Sequence, residues 1–388
     1  MSASDNPPVT LDRRVTAGPV SFPVQIRAGE ETWDELTRTV GALDAGRFLL
    51  VVGPGVPAMH TERVLRHLRR AAPARPLSAE DIHEDASDDV LEDVPDDDGA
   101  LVVALGGTGV LDAARRLAAR GGRGPVLLPT TLPAMTDSAL SLAGRAGRML
   151  PAPLLVRAQL EFLSTLAPGA LRPGLYALVR NVLAVCPGSY DQVCARLCPD
   201  GRYDRAAPAA FIALCVDART ALTCYDPCED GPAAALRYGH AVADLLRPLG
   251  VGALRYGDAV ALGLLVAARC ARLLGLLDAQ GEAAHRELLE RWGAPTVLPS
   301  PVTADDVLRI ALGGTAGLVL LDGLGQPHVA HGRTVTDVGT ALLRAGLDAV
   351  APRAARDTAG TVRSCARGTG TPSVVRDAAH PPSVRRSP

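Results

Sequence analysis

The chain has 388 residues, of which 47% are hydrophobic and 21% charged, and its formal net charge is −2. These values are typical of a globular protein long enough for two domains around one cleft, and the charge gives no indication of a nucleic-acid or anionic-membrane partner. No apolar run is expected to cross a bilayer and the N-terminus shows no apolar signal segment, so we expect a cytoplasmic protein.

Lysine is absent from the sequence, so all 40 residues of the Lys and Arg class are arginines. Arginine carries a permanent charge and binds phosphate in a fork, but it does not exchange a proton near neutral pH. Any mechanism that needs a lysine acid, base or Schiff base is therefore excluded.

The first half of the chain alternates predicted strands and helices, after residues 1–18, which we expect to be disordered. Apolar, β-rich runs predict strands at 19–28, 47–53, 100–105 and 125–131, with helical periodicity between them. The strongly acidic stretch at 80–99 is typical of a solvated surface loop. Strand–helix–strand units predict a parallel sheet, so residues 19–157 are expected to form a Rossmann-like nucleotide-binding α/β domain.

The second half has mainly helical periodicity and is expected to form an α-helical domain over residues 158–350. Helices are predicted at 175–185, 209–222, 233–246 and 258–277, then a hairpin at 317–330 and a last helix at 334–345. Residues 351–388 are rich in Arg, Pro, Thr, Gly and Ser and are expected to be a disordered tail. The predicted fold class is therefore α/β, with a Rossmann-like parallel domain followed by a mainly helical C-terminal domain.

The eight cysteines do not indicate a disulfide framework in a chain of this size. Cys194 and Cys198 are four residues apart, as are Cys224 and Cys228, a spacing that would place each pair on one helical face. Structural thiols are the commoner explanation. A metal site stays open, although zinc sites usually start from a tighter pair.

The most informative segment is a glycine turn, Gly106–Gly109, between a buried-type strand and a helix. Such a turn presents backbone N–H groups and a helix N-terminus at the end of a parallel strand, which suits the pyrophosphate of a dinucleotide. Glycine also serves simply to make sharp turns. The motif alone leaves both interpretations open.

A series of motifs in fixed order resembles the 3-dehydroquinate synthase family of sugar phosphate cyclases over roughly residues 20–345. The matching segments are Gly106–Asp112, Pro129–Leu132 with Asp137–Ser138, Phe162–Leu166, Asp226–Gly231, Tyr238–His240, Tyr256–Gly263 and Leu318–Gly325. The resemblance implies a dehydroquinate synthase-like fold. It also implies a reaction in which bound NAD transiently oxidises a hydroxyl of a sugar phosphate, phosphate is eliminated and a ring closes, with a divalent metal polarising the oxygen.

The nucleotide side of this site is largely kept. The resemblance implies NAD contacts at Gly106, Gly107, Asp112, Thr130, Thr131, Asp137, Thr165 and Leu166. It implies catalytic positions at Asp137, Arg180, Arg219, Glu229, Arg237 and His240. Two nucleotide-side positions differ, because a family Asp is Gly53 and a family Glu–x–x–Lys becomes Glu80 with His83.

The metal and proton-transfer positions are mostly lost. Of one Glu and two His ligands in the family, only His240 remains, since Ala177 and Tyr256 stand at the other positions. Family lysines become Arg180 and Arg219, and others are lost near Ala143 and within 312–315. The remaining replacements are Ala233 for an Arg, Arg237 for an Asn and Asp244 for a second His. One imidazole does not hold a catalytic divalent ion, so zinc is not expected, whereas NAD is allowed.

Three functions stay open. The missing groups favour a divergent relative in specialised metabolism. Such a protein would be either inactive, and so a pseudoenzyme, or altered in its chemistry. It would bind a small-molecule phosphate or a nucleotide and form a homodimer or pair with a partner subunit. The alternatives are an active NAD-dependent carbon–oxygen lyase or cyclase and a metal-free NAD oxidoreductase, for which Tyr256 or Asp244 would have to be the base. A substituted metal site is a further interpretation, built from Asp226, Glu229, His240, Asp244, Cys224 and Cys228.

Overall fold

The computed structural model describes residues 7–79, 99–144, 149–167, 169–250, 254–311 and 315–352. The predictions for most of the acidic stretch, including Glu80 and His83, and for the tail beyond residue 352 lie outside the described residues.

A seven-stranded sheet forms the centre of the N-terminal half, in the order β1-β2-β7-β6-β5-β3-β4. Its strands are β1 (Val9–Ala17), β2 (Val20–Ala28), β3 (Phe48–Val52), β4 (Ala74–Ser78), β5 (Leu101–Gly106), β6 (Val126–Pro129) and β7 (Leu155–Gln159). β1 and β2 pair antiparallel, and the other neighbours pair parallel. Every residue of β5 and β6 is buried, as their unbroken apolar sequences indicate. The predicted parallel sheet is confirmed.

Among the described residues of this half, each α-helix comes after a strand of the sheet in the chain. They are α1 (Thr32–Gly41), α2 (Ala58–Ala71), α3 (Thr108–Arg120) and the single turn α4 (Glu161–Ser164). α1 buries Trp33, Leu36 and Val40, which recur at the spacing of one helical face. α3 starts directly after β5, an interior strand, so the carboxyl end of β5 opens onto a helix N-terminus.

The prediction that residues 1–18 are disordered is wrong for β1. This strand pairs with β2 from Val9 opposite Ala28 to Ala17 opposite Val20. Exposure alternates along the strand, with Val15 and Ala17 buried and Thr10, Asp12 and Arg14 exposed, so one face lies toward the protein and the other toward solvent. β4 and β7 were also not predicted, and β7 extends the sheet slightly beyond the expected domain boundary at 157.

The C-terminal half is mainly helical, as predicted. Its helices are α5 (Tyr176–Ala184), α6 (Tyr190–Arg196), α7 (Ala206–Thr223), α8 (His240–Leu246), α9 (Tyr256–Leu273), α10 (Ala279–Trp292), α11 (Ala304–Ile310) and α12 (Thr340–Ala349). Short strands complete it: β8 (Thr315–Val319), β9 (Leu321–Gly323), β10 (Gln326–Pro327) and β11 (Val335–Gly339). α5 is buried along its whole length and is the central helix of this half.

Two predicted elements of the C-terminal half differ in the structure. The single hairpin at 317–330 is instead two separate pairs, β8 with β11 and β9 with β10, so the last helix begins at Thr340 rather than at residue 334. The predicted helix 233–246 is broken at Gly239, which has a φ of 85°. Helix α8 therefore starts afresh at His240.

Glycine is required on both sides of the contact between Gly239 and α9: Gly239 has a positive φ, and a Cβ there would lie 2.9 Å from the Val260 carbonyl oxygen. A Cβ on Gly263 of α9 would lie 2.0 Å from the Gly239 carbonyl oxygen. A Cβ on Gly257, in the first turn of α9, would lie 1.8 Å from the Pro173 carbonyl oxygen. These backbone contacts fix where α9 places Tyr256 relative to His240.

Among the described residues one helix, α7, is long and apolar enough to cross a membrane by length and composition, with a mean hydropathy of 1.3, contrary to the prediction from the sequence. Just over half of it, 56%, is buried inside the protein. The Thr223 hydroxyl donates to the Thr16 carbonyl of β1 at 2.7 Å, and Arg219 projects into buried ion pairs. These contacts are those of a core helix packed on the sheet.

Candidate functional site

A cavity of about 1800 Å³ is lined by residues of both halves of the chain. One wall is the glycine turn with the first turn of α3. The opposite wall comes from α5, α7, α8 and α9. Of the predicted site residues, the cavity lining includes Gly107, Asp112, Thr131, Asp137, Leu166, Arg219, Glu229, Arg237 and His240. The structure therefore brings most of them into one place, while their roles stay predictions.

Asp137 is the centre of a buried charge network. Its Oδ1 accepts hydrogen bonds from Arg219 Nη2 at 2.6 Å and Arg180 Nη2 at 3.1 Å, and its Oδ2 accepts from the Tyr176 hydroxyl at 2.7 Å. Burial alone would raise the pKa of Asp137, but Arg180 and Arg219 outweigh that effect and hold its pKa well below the ordinary value. Asp137 is therefore an anion tied to two cations.

Glu229 adds a second carboxylate to this network from a strained backbone position. Its φ is 56°, a region that non-glycine residues rarely adopt and that persists where surrounding contacts enforce it. Its carboxylate pairs with Arg219 and accepts from the Ser141 hydroxyl at 2.9 Å, and its carbonyl oxygen accepts from Arg237 Nη2 at 3.0 Å. The ion pair thus holds the turn that carries Glu229.

A directed chain of hydrogen bonds runs through His240. Arg180 Nη1 lies 3.2 Å from His240 Nε2, and the Tyr256 hydroxyl lies 3.2 Å from His240 Nδ1. Arginine only donates, so Nε2 is the acceptor and the neutral ring carries its proton on Nδ1. Burial, together with the neighbouring Arg180 charge, lowers the pKa of His240 to about 3. The imidazole is neutral, and both nitrogens are engaged within the protein.

The side chains present do not fit a bound divalent metal. Within the described ranges, no three His, Cys, Asp or Glu side chains converge as metal ligands would, and Ala177 is fully buried without a donor atom. The proposed substituted site is not assembled either, because Asp226 Oδ2 instead accepts from the backbone N–H groups of Gly231 at 2.9 Å and Ala233 at 2.8 Å. Absence of a metal from the purified protein stays a prediction.

The cysteine pairs do not share helical faces, contrary to the expectation from their spacing. α6 ends at Arg196, before Cys198, and α7 ends at Thr223, before Cys224. Cys194 Sγ lies 3.7 Å from Glu287 Oε1, and burial raises the pKa of this thiol. This contact is that of a structural thiol at Cys194, whereas Cys228 is exposed in the wall of the cavity.

Gly106 and Gly107 of the glycine turn, and Gly53 at the end of β3, are glycines for different reasons. A Cβ on Gly106 would lie 2.8 Å from Val110 Cβ, and one on Gly53 would lie 2.7 Å from Val110 Cγ2, so packing against Val110 requires both. A Cβ on Gly107 would meet nothing closer than Thr131, at 3.7 Å. Of these three, Gly107 is the one with open space on the cavity side, which a bound pyrophosphate would use.

Two predicted NAD contacts are occupied by the protein itself. The Thr165 hydroxyl donates to the Phe162 carbonyl at 3.1 Å and lies 2.8 Å from His60 Nε2. The Thr130 backbone N–H donates to the Gly106 carbonyl at 2.9 Å, which joins β6 to the glycine turn. Neither residue lines the cavity, so both are placed to support the turn and its surroundings.

Sequence reasoning missed four residues of the network and its support: Tyr176, Asn181, Ser141 and Arg115. Arg115 is fully buried in α3, and its Nη1 and Nη2 donate to the carbonyls of Ser138 at 3.0 Å and Ala139 at 2.9 Å. It anchors the end of the π-helical segment Ala134–Ser138, which carries Asp137. A signal existed, because Arg115 lies four residues after Leu111 on the buried face of α3. Tyr176 and Arg180 are likewise one helical turn apart on α5.

The chain is similar to known proteins along most of its length. Residues 194–316 match the family model described as 3-dehydroquinate synthase C-terminal. The 2-deoxy-scyllo-inosose synthase of Streptoalloteichus tenebrarius is 32% identical over 358 residues, 85% of this chain and 92% of that protein. The 3-dehydroquinate synthase of Xanthomonas campestris pv. campestris is 34% identical over 256 residues, 59% of this chain and 68% of that protein.

Solved structures share the fold. A crystal structure of 2-deoxy-scyllo-inosose synthase complexed with carbaglucose-6-phosphate, NAD+ and Co2+ superposes with a TM-score of 0.78 at 21% identity, covering 86% of this chain and 98% of that one. Three observations therefore lead to the same family: the shared fold, the order of the motifs along the chain and the sequence match over most of its length. This chain belongs to the 3-dehydroquinate synthase family of sugar phosphate cyclases.

Proposed function

We propose that this protein binds NAD and an anionic sugar phosphate in its cleft without a metal, and that it does not catalyse a metal-dependent cyclisation. The observation that carries this proposal is the bonding of His240. Its Nε2 accepts from Arg180 and its Nδ1 faces Tyr256, so neither nitrogen offers a lone pair to a metal. The protein is then a pseudoenzyme relative to the cyclases.

The charge of the cavity supports an anionic ligand. Seven arginines and five carboxylates belong to its described lining, an excess of two positive charges. A cavity with such an excess raises the local concentration of anions. A related solved structure holds a sugar phosphate analogue and NAD+, which makes these two ligands the first to test.

The N-terminus of α3 supports a nucleotide beside that anion. The helix has 13 residues and begins at the cavity wall, and an anion at such an end gains about 0.3–1 kcal/mol from the helix dipole. Gly53 offers no side-chain contact where the family has an Asp. We therefore expect weaker NAD binding than in a family member that keeps the Asp.

Calorimetric titration with NAD tests the nucleotide site. Gly107→Ala should weaken binding at least about tenfold, because the new methyl group projects into the space for the pyrophosphate while its nearest neighbour stays at 3.7 Å. Gly121→Ala, at the other end of α3, is the matched control, since its Cβ would meet only Ala118 O at 3.8 Å. Absence of binding heat in the folded wild type at millimolar NAD would overturn the nucleotide site.

Metal analysis and turnover test the rest of the proposal. Dialysed protein should contain well under one equivalent of zinc or cobalt per chain, and it should release no phosphate from six- or seven-carbon sugar phosphates above a heat-killed control. Phosphate release that Asp137→Ala abolishes would instead support the alternative, an active NAD-dependent carbon–oxygen lyase. Stoichiometric metal that depends on His240 would contradict the metal-free cleft.

A further inference from the structure

The guanidinium of Arg180 is enclosed by acceptors. Arg180 is 1% exposed. Nη1 donates to Asp137 Oδ2 at 3.3 Å and to His240 Nε2 at 3.2 Å. Nη2 donates to Asp137 Oδ1 at 3.1 Å and to Asn181 Oδ1 at 3.1 Å, and Nε donates to Asn181 Oδ1 at 3.1 Å. All five N–H donors of the side chain therefore have partners.

Asn181 shows that this arrangement is organised around a positive charge. Its side chain is buried, and within the described part of the chain its Nδ2 makes no hydrogen bond of ordinary geometry, with only the weakly accepting Cys215 thiol beside it. Reversing the amide would place its N–H groups against the guanidinium, where donor would face donor, so the oxygen must point inward. Leaving a buried N–H without a good acceptor is unfavourable, and the hydrogen bonds that the amide oxygen accepts from Arg180 offset this loss.

We infer that the Arg180 guanidinium occupies the position of a metal ion beside the cleft. The site that holds it is built from the Asp137 carboxylate, His240 Nε2 and the Asn181 amide oxygen. Carboxylate, imidazole and amide oxygen are also ligands of divalent metal ions. The same three groups should therefore bind such an ion once the guanidinium is removed. The inference rests on the proposed metal-free function, and it names the residue that takes the place of a metal.

The charges near the site support this exchange. Arg219 already pairs with both Asp137 and Glu229, so without Arg180 one cation would face two carboxylates. A buried carboxylate that loses a partner favours any cation that can reach it. Tyr176 and Asp137 line the adjacent cavity, which provides a path for a small ion.

Cobalt binding by Arg180→Ala tests the inference. Titration with Co2+ alone should give about one equivalent per chain, a visible absorption band and a rise in Tm, whereas the wild type should give none. Arg180→Ala/His240→Ala should bind Co2+ at least about tenfold more weakly, because one of three ligands is gone. Arg180→Leu is the matched control, since it fills part of the same volume without charge or a metal-ligand atom and should bind no Co2+.

A second variant covers the case in which Arg180→Ala does not fold. Arg180→Gln keeps most of the volume and adds an amide oxygen, so it should also bind Co2+ and be stabilised by it. If neither variant folds in metal-free buffer, Co2+ in the refolding buffer must restore the circular dichroism of the folded protein. Folded variants that bind no Co2+, binding that persists without His240, or failure of Co2+ to rescue folding would each overturn the inference. Metal in the wild type would instead overturn the proposed function, so the two failures are distinguishable.

Discussion

His285 should make the protein sensitive to mild acid. The residue is completely buried in α10, with Nδ1 2.7 Å from the Gly281 carbonyl oxygen and Nε2 2.8 Å from the Tyr238 hydroxyl. The carbonyl can only accept, so Nδ1 carries the proton, Nε2 accepts from Tyr238, and the ring is neutral. Burial lowers the pKa of His285 from its ordinary 6.5 to about 4.

The sign and size of the effect follow from proton linkage. Between pH 6.5 and 4 the unfolded chain binds a proton at His285 that the folded chain does not, so stability falls as the pH falls through this window. One pKa unit corresponds to about 1.4 kcal/mol. Lowering the pH from 7 to 5 should therefore remove about 2 kcal/mol of the free energy of unfolding through His285 alone.

Urea denaturation at pH 7 and pH 5, followed by circular dichroism, measures this loss. His285→Gln is the informative variant, because its amide offers an N–H to Gly281 and an oxygen to Tyr238 but does not titrate. The loss of stability between the two pH values should be about 2 kcal/mol smaller in the variant than in the wild type. Equal losses in both proteins would refute the assignment of a neutral, buried His285.

Two further predictions concern the charge network and the helix crossing. Asp137→Asn should lower the free energy of unfolding by about 3–5 kcal/mol, because Arg180 and Arg219 then remain buried without their shared anion; a loss below about 1 kcal/mol in urea denaturation would argue against the network. Gly263→Ala should lower it by at least about 2 kcal/mol, since the new Cβ would lie 2.0 Å from a backbone oxygen. Gly46→Ala, where a Cβ meets nothing within 4 Å, should change it by less than about 0.5 kcal/mol, and equal effects in both glycine variants would contradict the close contact.

The order of buried strands and helices was predictable because β3, β5 and β6 are continuous apolar runs and the helices show a clear period. β1 was not, because its sequence mixes arginines with apolar residues and its buried face is covered only in the tertiary structure. The interruption of the predicted helix 233–246 at Gly239 could not be predicted from the sequence either. The apolar period continues through it, and only the contact with α9 shows that the chain must turn there.

Most of the residues that form the site could be predicted from the sequence, but the hydrogen bonds and ion pairs between them could not. Motif order placed Asp137, Arg180, Arg219 and His240 together, and the structure brings these four side chains into contact. Which of them pair depends on side-chain geometry that residue types do not specify. The sequence therefore could not show that Arg180 binds both Asp137 and His240, or that Arg115 anchors the turn beside them.

The contact between Gly53 and Val110 has a consequence for how this chain can change. Val110 Cγ2 would lie 2.7 Å from any Cβ at residue 53, so an acidic side chain there first requires a smaller residue at 110. The order of substitution therefore matters. Val110→Ala makes room for a side chain at residue 53, whereas Gly53→Asp alone overpacks the junction between β3 and α3.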